Sequence, residues 1–503
     1  MVPASFGVRR GGAGRLALVQ RRSVVLLLVA SLLAGLGAVA PAASRMALGS
    51  GGGPRTWYVG PGDGLSGTFP SCTVPDFTTG GAYDSSSGSI QRAVDAAATG
   101  DTIHLCDHTY ELTAGIDLTT SAATALTFEG ETTAGTIVDG RDAVRLFYAD
   151  GKDVAFVGLT LQNGTTDAGN PRGGAVYARD VAVHGAVFRD NTAGADGGAI
   201  EAAGTVTVTD GTFIDNVAES YGGAIDGYGD LLLRGGLFRG NRAGFYDGGA
   251  AFIDGVAELS DVLFEDNTAG GGGGAIRSSS ISATDATFVG NQANDGGAIF
   301  AYSATLPRVP ARANLATLTN GAAAVYGPTV VTDSVFADNT AGDTGALGSD
   351  DAVTVTGSLF TRNTANTGVA GAIYAISLTM SDTDLTSNTA VTNGGGVYAE
   401  SGLMVDVRFR DNSANTGGAA YFIHSASITD GIFRDNRATA DGGAILAMGD
   451  LDVSGGSSFT GNAAENGGAI RAGDGGTTLR GATFSDNTAG SSGGAAATNG
   501  PLW

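Results

Sequence analysis

The chain has 503 residues, of which 84 are Gly and only 11 are Pro; 42% are hydrophobic and 15% charged. So much Gly without a Gly-X-Y triplet and with so little Pro excludes collagen and argues against a Pro-rich disordered chain. The 50 acidic residues outnumber the 27 basic ones, for a formal net charge of −23. Binding of phosphate backbones needs a basic face, so we expect no nucleic-acid partner.

The N-terminus has the layout of an export signal. Several Arg residues precede an uncharged run from Val24 to Ala40, and small residues follow at Ala42 and Ala43. This order predicts a signal peptide over residues 1–42, with an uncleaved anchor as the alternative. No second long apolar segment follows, so we expect no transmembrane segment in the mature chain. The protein is expected to be secreted, or else held at the cell outer membrane or cell surface.

Residues 43–86 are interpreted as an N-terminal linker or cap region. They contain Cys72, and Cys106 is the second of the two cysteines in the chain. Because an exported chain reaches an oxidising compartment, the sequence predicts a Cys72–Cys106 disulfide, with two free buried thiols as the alternative.

A short amphipathic helix opens the next region. Ile90, Ala93, Val94 and Ala97 recur at the spacing of one helical face, and Gly100 can end the helix. We interpret residues 87–503 as one solenoid, whose open apolar end this helix would cover.

Two motifs recur about every 25 residues through the rest of the chain. One is Gly-Gly-Ala followed by an apolar residue, as at Gly173, Gly197 and Gly222, and the other is Phe-x-x-Asn. A short alternating stretch such as 181–183 lies between them, so each period offers three short strands and no helix. The repeated Phe residues are Phe188, Phe213, Phe238, Phe264, Phe288, Phe336, Phe360, Phe409, Phe433, Phe459 and Phe484. The repeated Asn residues are Asn191, Asn216, Asn241, Asn267, Asn291, Asn339, Asn363, Asn388, Asn412, Asn436, Asn462 and Asn487.

A fixed period of this length indicates a solenoid. Leucine-rich repeats would need several spaced Leu and a helical segment per repeat, and calcium rolls would need a Gly-Asp nonapeptide; neither pattern is present. An all-β parallel β-helix with about 25 residues per coil remains. In it the Phe rings would stack inside the cylinder. The Asn would take left-handed turn positions and form an amide ladder, and the Gly pair would supply positive φ or close backbone approach.

The gap between Asn291 and Asn339 spans two periods and is expected to hide one degenerate coil. Pro307 and Pro310 fall in it, and neither can donate a ladder hydrogen bond. We therefore expect an irregular coil at 302–322 that leaves the cylinder as an exposed loop. Such a loop would be the favoured place for a binding function.

The opening of this region resembles that of pectin-lyase-like right-handed β-helices. There a helix like Ser89–Ala98 leads into a Gly-Asp-Thr-Ile strand, here 100–103, and later into a segment like 158–164. The downstream Gly-Gly-Ala-Ile and Phe-x-x-Asn repeats resemble those of the polymorphic outer membrane protein family. The resemblance implies a right-handed, single-stranded β-helix exposed outside the cell, which in that family often serves adhesion.

Members of that family usually continue into a membrane-translocating domain, whereas the last repeat here runs almost directly into 501–503. We therefore expect either a freely secreted protein or a longer natural chain.

The residues give little sign of catalysis, and we assign no catalytic, cofactor-binding or metal-binding residue. Asp350-Asp351, Asp382 and Asp384 are interpreted as solvated turn residues, and the four His as surface or turn residues. The Asp before the repeated Asn forms a column that could hold calcium, although turn chemistry explains its recurrence. The members of that column are Asp190, Asp215, Asp266, Asp338, Asp411, Asp435 and Asp486.

Two function classes remain. A secreted or cell-surface β-helix could be a non-catalytic adhesion, binding or structural protein whose partner is a host or cell-surface protein or a glycan. It could instead be an extracellular polysaccharide lyase or glycoside hydrolase. β-Helix enzymes generally build clefts from long loops that interrupt the period, and here one coil does so. The sequence therefore favours the non-catalytic class.

Overall fold

A computed structural model describes residues 54–60, 72, 87–166 and 169–503. The predicted signal peptide and most of the predicted linker lie outside these residues. Within them the only α-helix is α1 (Ser87–Ala96), and Leu118–Thr120 forms one 3-10 turn. The strands pair in parallel from turn to turn, so the predicted β-solenoid, with about 16 turns of about 25 residues, is confirmed. Its right-handedness stays a prediction.

Three parallel sheets line the solenoid. Sheet A contains the strand that follows each Gly-Gly-Ala motif and the alternating strand after it, and in several turns the two merge into one long strand. Its strands are Thr56–Val59, Thr102–Leu105, Ile116–Asp117, Ala125–Gly130, Phe147–Ala149, Asp153–Val157, Val176–Ala178, Val181–His184, Ile200–Ala202, Val206–Thr209, Ile225–Gly227, Leu231–Arg234, Ala251–Ser260, Ile276–Thr284, Ile299–Pro307, Ala323–Val325, Thr329–Thr332, Leu347–Thr356, Ile373–Ser381, Val397–Val405, Ala420–Thr429, Ile445–Ala447, Asp450–Ser454, Ile470–Ala472, Thr477–Leu479 and Ala496–Thr498.

Sheet B contains the Phe-bearing strands, and sheet C contains short strands that begin just after the repeated Asn. The strands of sheet B are His108–Glu111, Thr136–Asp139, Thr160–Gln162, Val187–Arg189, Thr212–Ile214, Leu237–Arg239, Leu263–Glu265, Thr287–Val289, Pro310–Arg312, Val335–Ala337, Leu359–Thr361, Asp384–Thr386, Arg408–Arg410, Ile432–Arg434, Ser458–Thr460 and Thr483–Ser485. The strands of sheet C are Thr192–Ala193, Val217–Ala218, Arg242–Ala243, Thr268–Ala269, Gln292–Asp295, Leu315–Thr319, Thr340–Ala341, Thr364–Ala365, Thr389–Ala390, Ser413–Thr416, Arg437–Asp441, Ala463–Asn466 and Thr488–Ser492. The sheet C strand is a fourth strand in most turns that the sequence did not predict, because two to five residues are too few to show an alternating pattern.

The repeated Phe side chains fill the interior beneath sheet B. Phe188 and Phe213 pair in register and their ring centroids lie 4.9 Å apart, and the next pair, to Phe238, is 4.6 Å apart. Phe238 is fully buried, and Phe484, in the last turn, is half-buried. Parallel in-register pairing places like side chains directly above one another, which is why one residue type repeats.

The repeated Asn form a buried hydrogen-bonded ladder. From Asn191 to Asn462, each Nδ2 donates a hydrogen bond to Oδ1 of the ladder Asn in the next turn, at 2.9 to 3.1 Å, and Asn487 is the last acceptor. Each Nδ2 also donates to a backbone carbonyl, as Asn216 does to Phe188 at 3.0 Å. The ladder contains one member that the sequence analysis missed, Asn314.

The left-handed turn position belongs to the residue before each ladder Asn, not to the Asn as predicted. Asp190 has φ 55°, and Asp215 and Asp266 have φ 53° and 54°. Short polar residues tolerate this conformation, so it accounts for the recurring Asp. The ladder Asn instead lies inside the solenoid, where its amide satisfies backbone groups of the bend.

The two glycines of the Gly-Gly-Ala corner have different tasks. Gly197 has φ +63°, a conformation that Gly adopts without steric cost. Gly198 has an ordinary φ, but a Cβ there would lie 2.0 Å from the carbonyl oxygen of Gly223 in the next turn. The first glycine therefore lets the chain change direction, and the second lets the backbones of two successive coils approach closely.

The prediction that Tyr302 to Ala322 leaves the cylinder is wrong. Ile299–Pro307, Pro310–Arg312 and Leu315–Thr319 pair with the turns on both sides. Ala311 takes the place of the stacked Phe, and Asn314 continues the ladder. The Pro residues are tolerated because Pro307 ends its strand and Pro310 begins the next.

The start of the solenoid reaches into the predicted linker. Thr56–Val59 pairs in parallel with Thr102–Leu105, so this part of 43–86 is a strand of sheet A. The predicted disulfide between Cys72 and Cys106 is present, with a Cα–Cα distance of 5.6 Å. The apolar side chains of α1, Ile90 among them, join the core, while its role as a cap stays a prediction.

Candidate functional surface

One column of outward-facing side chains runs along sheet A. Each member follows Gly-Gly-Ala-apolar or its equivalent, and parallel pairing places each member beside the next. We call this set the outer column. Its members are Tyr148, Tyr177, Glu201, Asp226, Phe252, Arg277, Phe300, Ala324, Gly348, Tyr374, Tyr398, Tyr421, Leu446 and Arg471.

Three consecutive Tyr rings stack on one another in the second half of the outer column. The ring centroids of Tyr374 and Tyr398 lie 5.7 Å apart, and those of Tyr398 and Tyr421 lie 5.1 Å apart, with nearly parallel planes. Arg277 lies over the Phe252 ring, with Cζ 4.5 Å from the centroid. The half-buried rings of Tyr374, Tyr398 and Tyr421 form a continuous flat surface, which we call the Tyr platform, and aromatic surfaces of this kind serve proteins in binding.

A pocket opens where the side chains of the outer column are smallest. Ala324 and Gly348 form its floor, and the cavity has a volume of about 440 Å³. Phe300 and Tyr326 stand at one end, and Tyr374 with Tyr398 stands at the other. The full lining is Asp295, Phe300, Thr319, Asn320, Ala324, Val325, Tyr326, Asp343, Thr344, Gly348, Asp350, Val369, Tyr374 and Tyr398.

The pocket is acidic. Asp295, Asp343 and Asp350 line it, and the lining contains no Lys, Arg or His. The Asp295 carboxylate accepts a hydrogen bond from Thr319 Oγ1 at 2.9 Å. Burial, and then these carboxylates, raise the pKa of the Tyr326 and Tyr374 hydroxyls, so both rings stay neutral. Neutral rings with adjacent carboxylates can attract a positively charged group.

A second cluster lies in the first half of the outer column. Glu201 and Asp226 are neighbours in it, and Asp196 precedes the Gly197 corner. Carboxylate oxygens of the three lie within 4.8 Å of one another, and the three residues are 8%, 1% and 4% exposed in chain order. Arg172 contacts the group, with Nε 3.3 Å from Asp196 Oδ2 and Nη1 3.2 Å from Glu201 Oε1.

The surroundings disfavour the charged forms of two of these carboxyls. Burial raises the pKa of Glu201 well above its ordinary value, Asp196 raises it further, and Arg172 opposes the rise. Burial also raises the pKa of Asp226, and Glu201, Asp196 and Asp254 add to that rise. Crowded carboxylates beneath a protein surface therefore need a positive charge or a proton.

The members of the predicted Asp column lie along a row of left-handed turns. Two of its carboxylates pair with Arg side chains: Arg362 Nε lies 2.7 Å from Asp338 Oδ1, and Arg434 Nε lies 3.0 Å from Asp435 Oδ2. Asp350 and Asp351 lie in the strand Leu347–Thr356 and not in a turn as predicted, and Asp350 also lines the pocket. Asp384 pairs with Arg408 at 3.1 Å.

The four His residues are spread along the chain. The ring of His104 packs against Tyr58 with centroids 5.1 Å apart, and its Nδ1 lies 3.1 Å from Glu129 Oε2. His424 Nε2 lies 3.7 Å from Glu400, and His184 is exposed. Among the described residues, none of the side-chain groups that could hold a metal ion includes a His.

The outer column was not predicted, although the sequence contains a signal for it. The residue after each Gly-Gly-Ala-apolar tetrapeptide is Tyr, Glu, Asp, Phe, Arg or Leu, depending on the repeat. A position that varies beside a motif that does not vary indicates a surface under different constraints from the core.

The comparison with known families agrees with the repeat assignment. The model of the Chlamydia polymorphic membrane protein repeat matches residues 261–279, 285–302 and 430–448. No curated protein and no solved structure matched the chain significantly. None of the helices in the described residues is long and apolar enough to cross a bilayer. The matched repeats and the β-solenoid together suggest a surface protein similar to that family.

Proposed function

We propose that this protein is a non-catalytic adhesion protein, displayed outside the cell, that binds a positively charged segment of a partner protein through the pocket and the Tyr platform beside it. The observation that carries this proposal is the combination of aromatic walls with three carboxylates and no basic residue in the lining.

The chemistry favours a cationic group over other ligands. A Lys or Arg side chain placed between Tyr326 and Tyr374 would gain cation–π attraction from the rings and Coulomb attraction from Asp343 and Asp350. The net charge of −23 would also speed the approach of a basic partner. A neutral glycan could stack on the same rings but would gain nothing from the charge.

The test compares peptides on the purified protein by surface plasmon resonance. A Lys- and Arg-rich peptide should bind, and its affinity should fall as salt rises, whereas a Gly-Ser peptide of equal length should not bind. Replacing both Tyr374 and Tyr398 by Ala should weaken binding about tenfold. The matched control is Tyr246→Ala, which removes a ring that is 50% exposed and lies outside the pocket lining.

Binding of neutral oligosaccharides with no binding of basic peptides would overturn the proposed partner class. Equal loss of binding in the Tyr246→Ala control would show that the pocket is not the binding site.

A polysaccharide-cleaving enzyme is the second candidate, because Glu201 and Asp226 form a carboxyl pair with raised pKa values, as a general acid and its partner require. Their burial weighs against it, because a glycosidic oxygen cannot reach side chains that are 1% and 4% exposed. Release of reducing ends from a panel of neutral and acidic polysaccharides, lost in Glu201→Gln, would establish this second function instead.

A further inference from the structure

The cluster of Asp196, Glu201 and Asp226 carries an unbalanced charge. If ionised, the three carboxylates and the Arg172 guanidinium leave two negative charges uncompensated in a buried place. Arg145 acts on Glu201 from a greater distance, and its guanidinium already donates to backbone carbonyls, Gly173 among them. Buried charges persist only when they are paired or bind a metal ion.

One oxygen of the cluster is unsatisfied. Arg172 reaches Glu201 through Oε1, whereas Glu201 Oε2 is buried and receives no hydrogen bond from an N–H or O–H donor. The Asp226 carboxyl is close enough to Glu201 to share a proton, but two ionised carboxylates have none to share. Glu201 Oε2 belongs to a side chain that is 1% exposed, so it lacks solvent as a partner as well. A buried acceptor left in this way destabilises the fold unless a cation or a proton occupies the space beside it.

The spacing of the carboxylates suits one ion. Calcium binds oxygen at about 2.3 to 2.6 Å, so two oxygens on opposite sides of one ion lie about 4.6 to 5.2 Å apart. The carboxylate oxygens of Asp196, Glu201 and Asp226 lie within 4.8 Å of one another. Magnesium, at about 2.0 to 2.1 Å, would need a tighter shell and retains several waters.

The surrounding fold holds these ligands in place. Parallel pairing fixes Glu201 beside Asp226. The backbone N–H of Gly173 donates a hydrogen bond to the carbonyl oxygen of Asp196 at 2.9 Å, which holds the backbone at Asp196 in place. On the solvent side, Arg172 Nη1 contacts the hydroxyl of Tyr228 at 3.0 Å, and Tyr228 is 46% exposed. An ion would therefore enter past Arg172 and Tyr228, and water could complete its shell from that side.

We propose that Asp196, Glu201 and Asp226 form a calcium-binding site on the outer face of sheet A, in which the ion cancels the buried charge and locks the first turns of the repeat together. This inference is independent of the proposed peptide binding, because the pocket lies several turns away and shares no residue with the cluster.

The experiment is a titration of the purified full chain with CaCl₂ after dialysis against EDTA, read by isothermal calorimetry and by the melting temperature. We expect one calcium per chain and a melting temperature that rises with CaCl₂ and then saturates. Magnesium should bind at least about tenfold more weakly, because it demands near-ideal octahedral geometry and gives up its waters reluctantly.

Two variants and a control make the outcome specific. Glu201→Gln and Asp226→Asn should each abolish the calcium heat, and each should melt at a higher temperature than the wild type in EDTA, because one buried charge is gone. Glu219→Gln, a change at an exposed glutamate close by in sequence, should leave both calcium binding and the melting temperature unchanged.

Either of two results would overturn the proposal. One is a wild type that binds no calcium at pH 7.5 and is stabilised only by lowering the pH, because the cluster would then be neutralised by a shared proton. The other is calcium binding that persists unchanged in both Glu201→Gln and Asp226→Asn, because the ion would then lie elsewhere.

Discussion

The inward-facing and outward-facing columns of the same turns follow opposite rules. Inside, the position of Phe188 is again Phe in most later turns, with Ala311 and Leu385 as exceptions. Outside, the column passes from Tyr177 to Glu201 to Asp226 in three successive turns. An interior side chain must fit the same side chain above and below it, whereas an outer side chain meets solvent or a partner. The interior side chains therefore repeat from turn to turn, while the outer side chains are free to differ.

The largest expected effect comes from breaking the interior at its least regular turn. Deleting Pro307 to Ala313 should remove a strand of sheet B and shift the Asn ladder, because Pro310–Arg312 pairs with both neighbouring turns. We expect the cooperative unfolding transition in urea to be lost or strongly broadened. The point variant Tyr302→Ala, which changes a side chain 68% exposed in the same turn, should leave the transition unchanged. A deletion variant with the wild-type midpoint would restore the exposed-loop interpretation.

Truncating one ring tests the stacked interior directly. Phe238→Ala should lower the free energy of unfolding by about 3 to 5 kcal/mol, because the cavity lies between Phe213 and Phe264 and the sheets cannot collapse into it. Urea denaturation followed by circular dichroism measures the change. Phe245→Ala, at a ring 64% exposed, should change the free energy by less than about 0.5 kcal/mol. Similar losses in both variants would contradict the inward-facing assignment.

Removing one amide tests the ladder with a smaller effect. Asn241→Ala should cost about 1 to 3 kcal/mol, because the Nδ2 of Asn216 and the carbonyl of Phe213 each lose a buried partner. The same denaturation assay applies, with the exposed Asn415→Ala as the control. A ladder variant as stable as that control would show that the amides merely fill space.

The smallest expected effect concerns the outer column and pH. Because the folded-state pKa values of Glu201 and Asp226 are raised, the folded chain retains protons that the unfolded chain releases. Their stabilising contribution is complete below the ordinary carboxyl pKa and is lost as pH rises through the raised folded-state pKa values. In EDTA, the melting temperature of the wild type should therefore fall between pH 5 and pH 8 more than that of the Glu201→Gln, Asp226→Asn double variant. Parallel pH profiles for the two proteins would show that these carboxyls do not couple to folding.

The architecture could be predicted because its determinants are local and repeated. Phe-x-x-Asn and Gly-Gly-Ala in step define the turn length, the buried ring and the tight corner, and each is visible within a few residues. Asn314 and the strand around Ala311 escaped prediction because that turn keeps the Asn but lacks the Phe and carries two Pro. Pairing with the turns on both sides compensates for what the local sequence lacks.

The sequence by itself determined the solenoid, its period, the columns of Phe and Asn, and the Cys pair available for a disulfide. Only the tertiary structure decided which residue takes the left-handed turn, that 302–322 stays in register, and that Asp196, Glu201 and Asp226 meet. Asp196 and Asp226 are 30 positions apart in the chain, and the rings of Phe300 and Tyr398 nearly a hundred. Such distant side chains come to share one cluster or one pocket because parallel stacking sets successive turns about 4.8 Å apart, a relation that no local pattern of residues specifies.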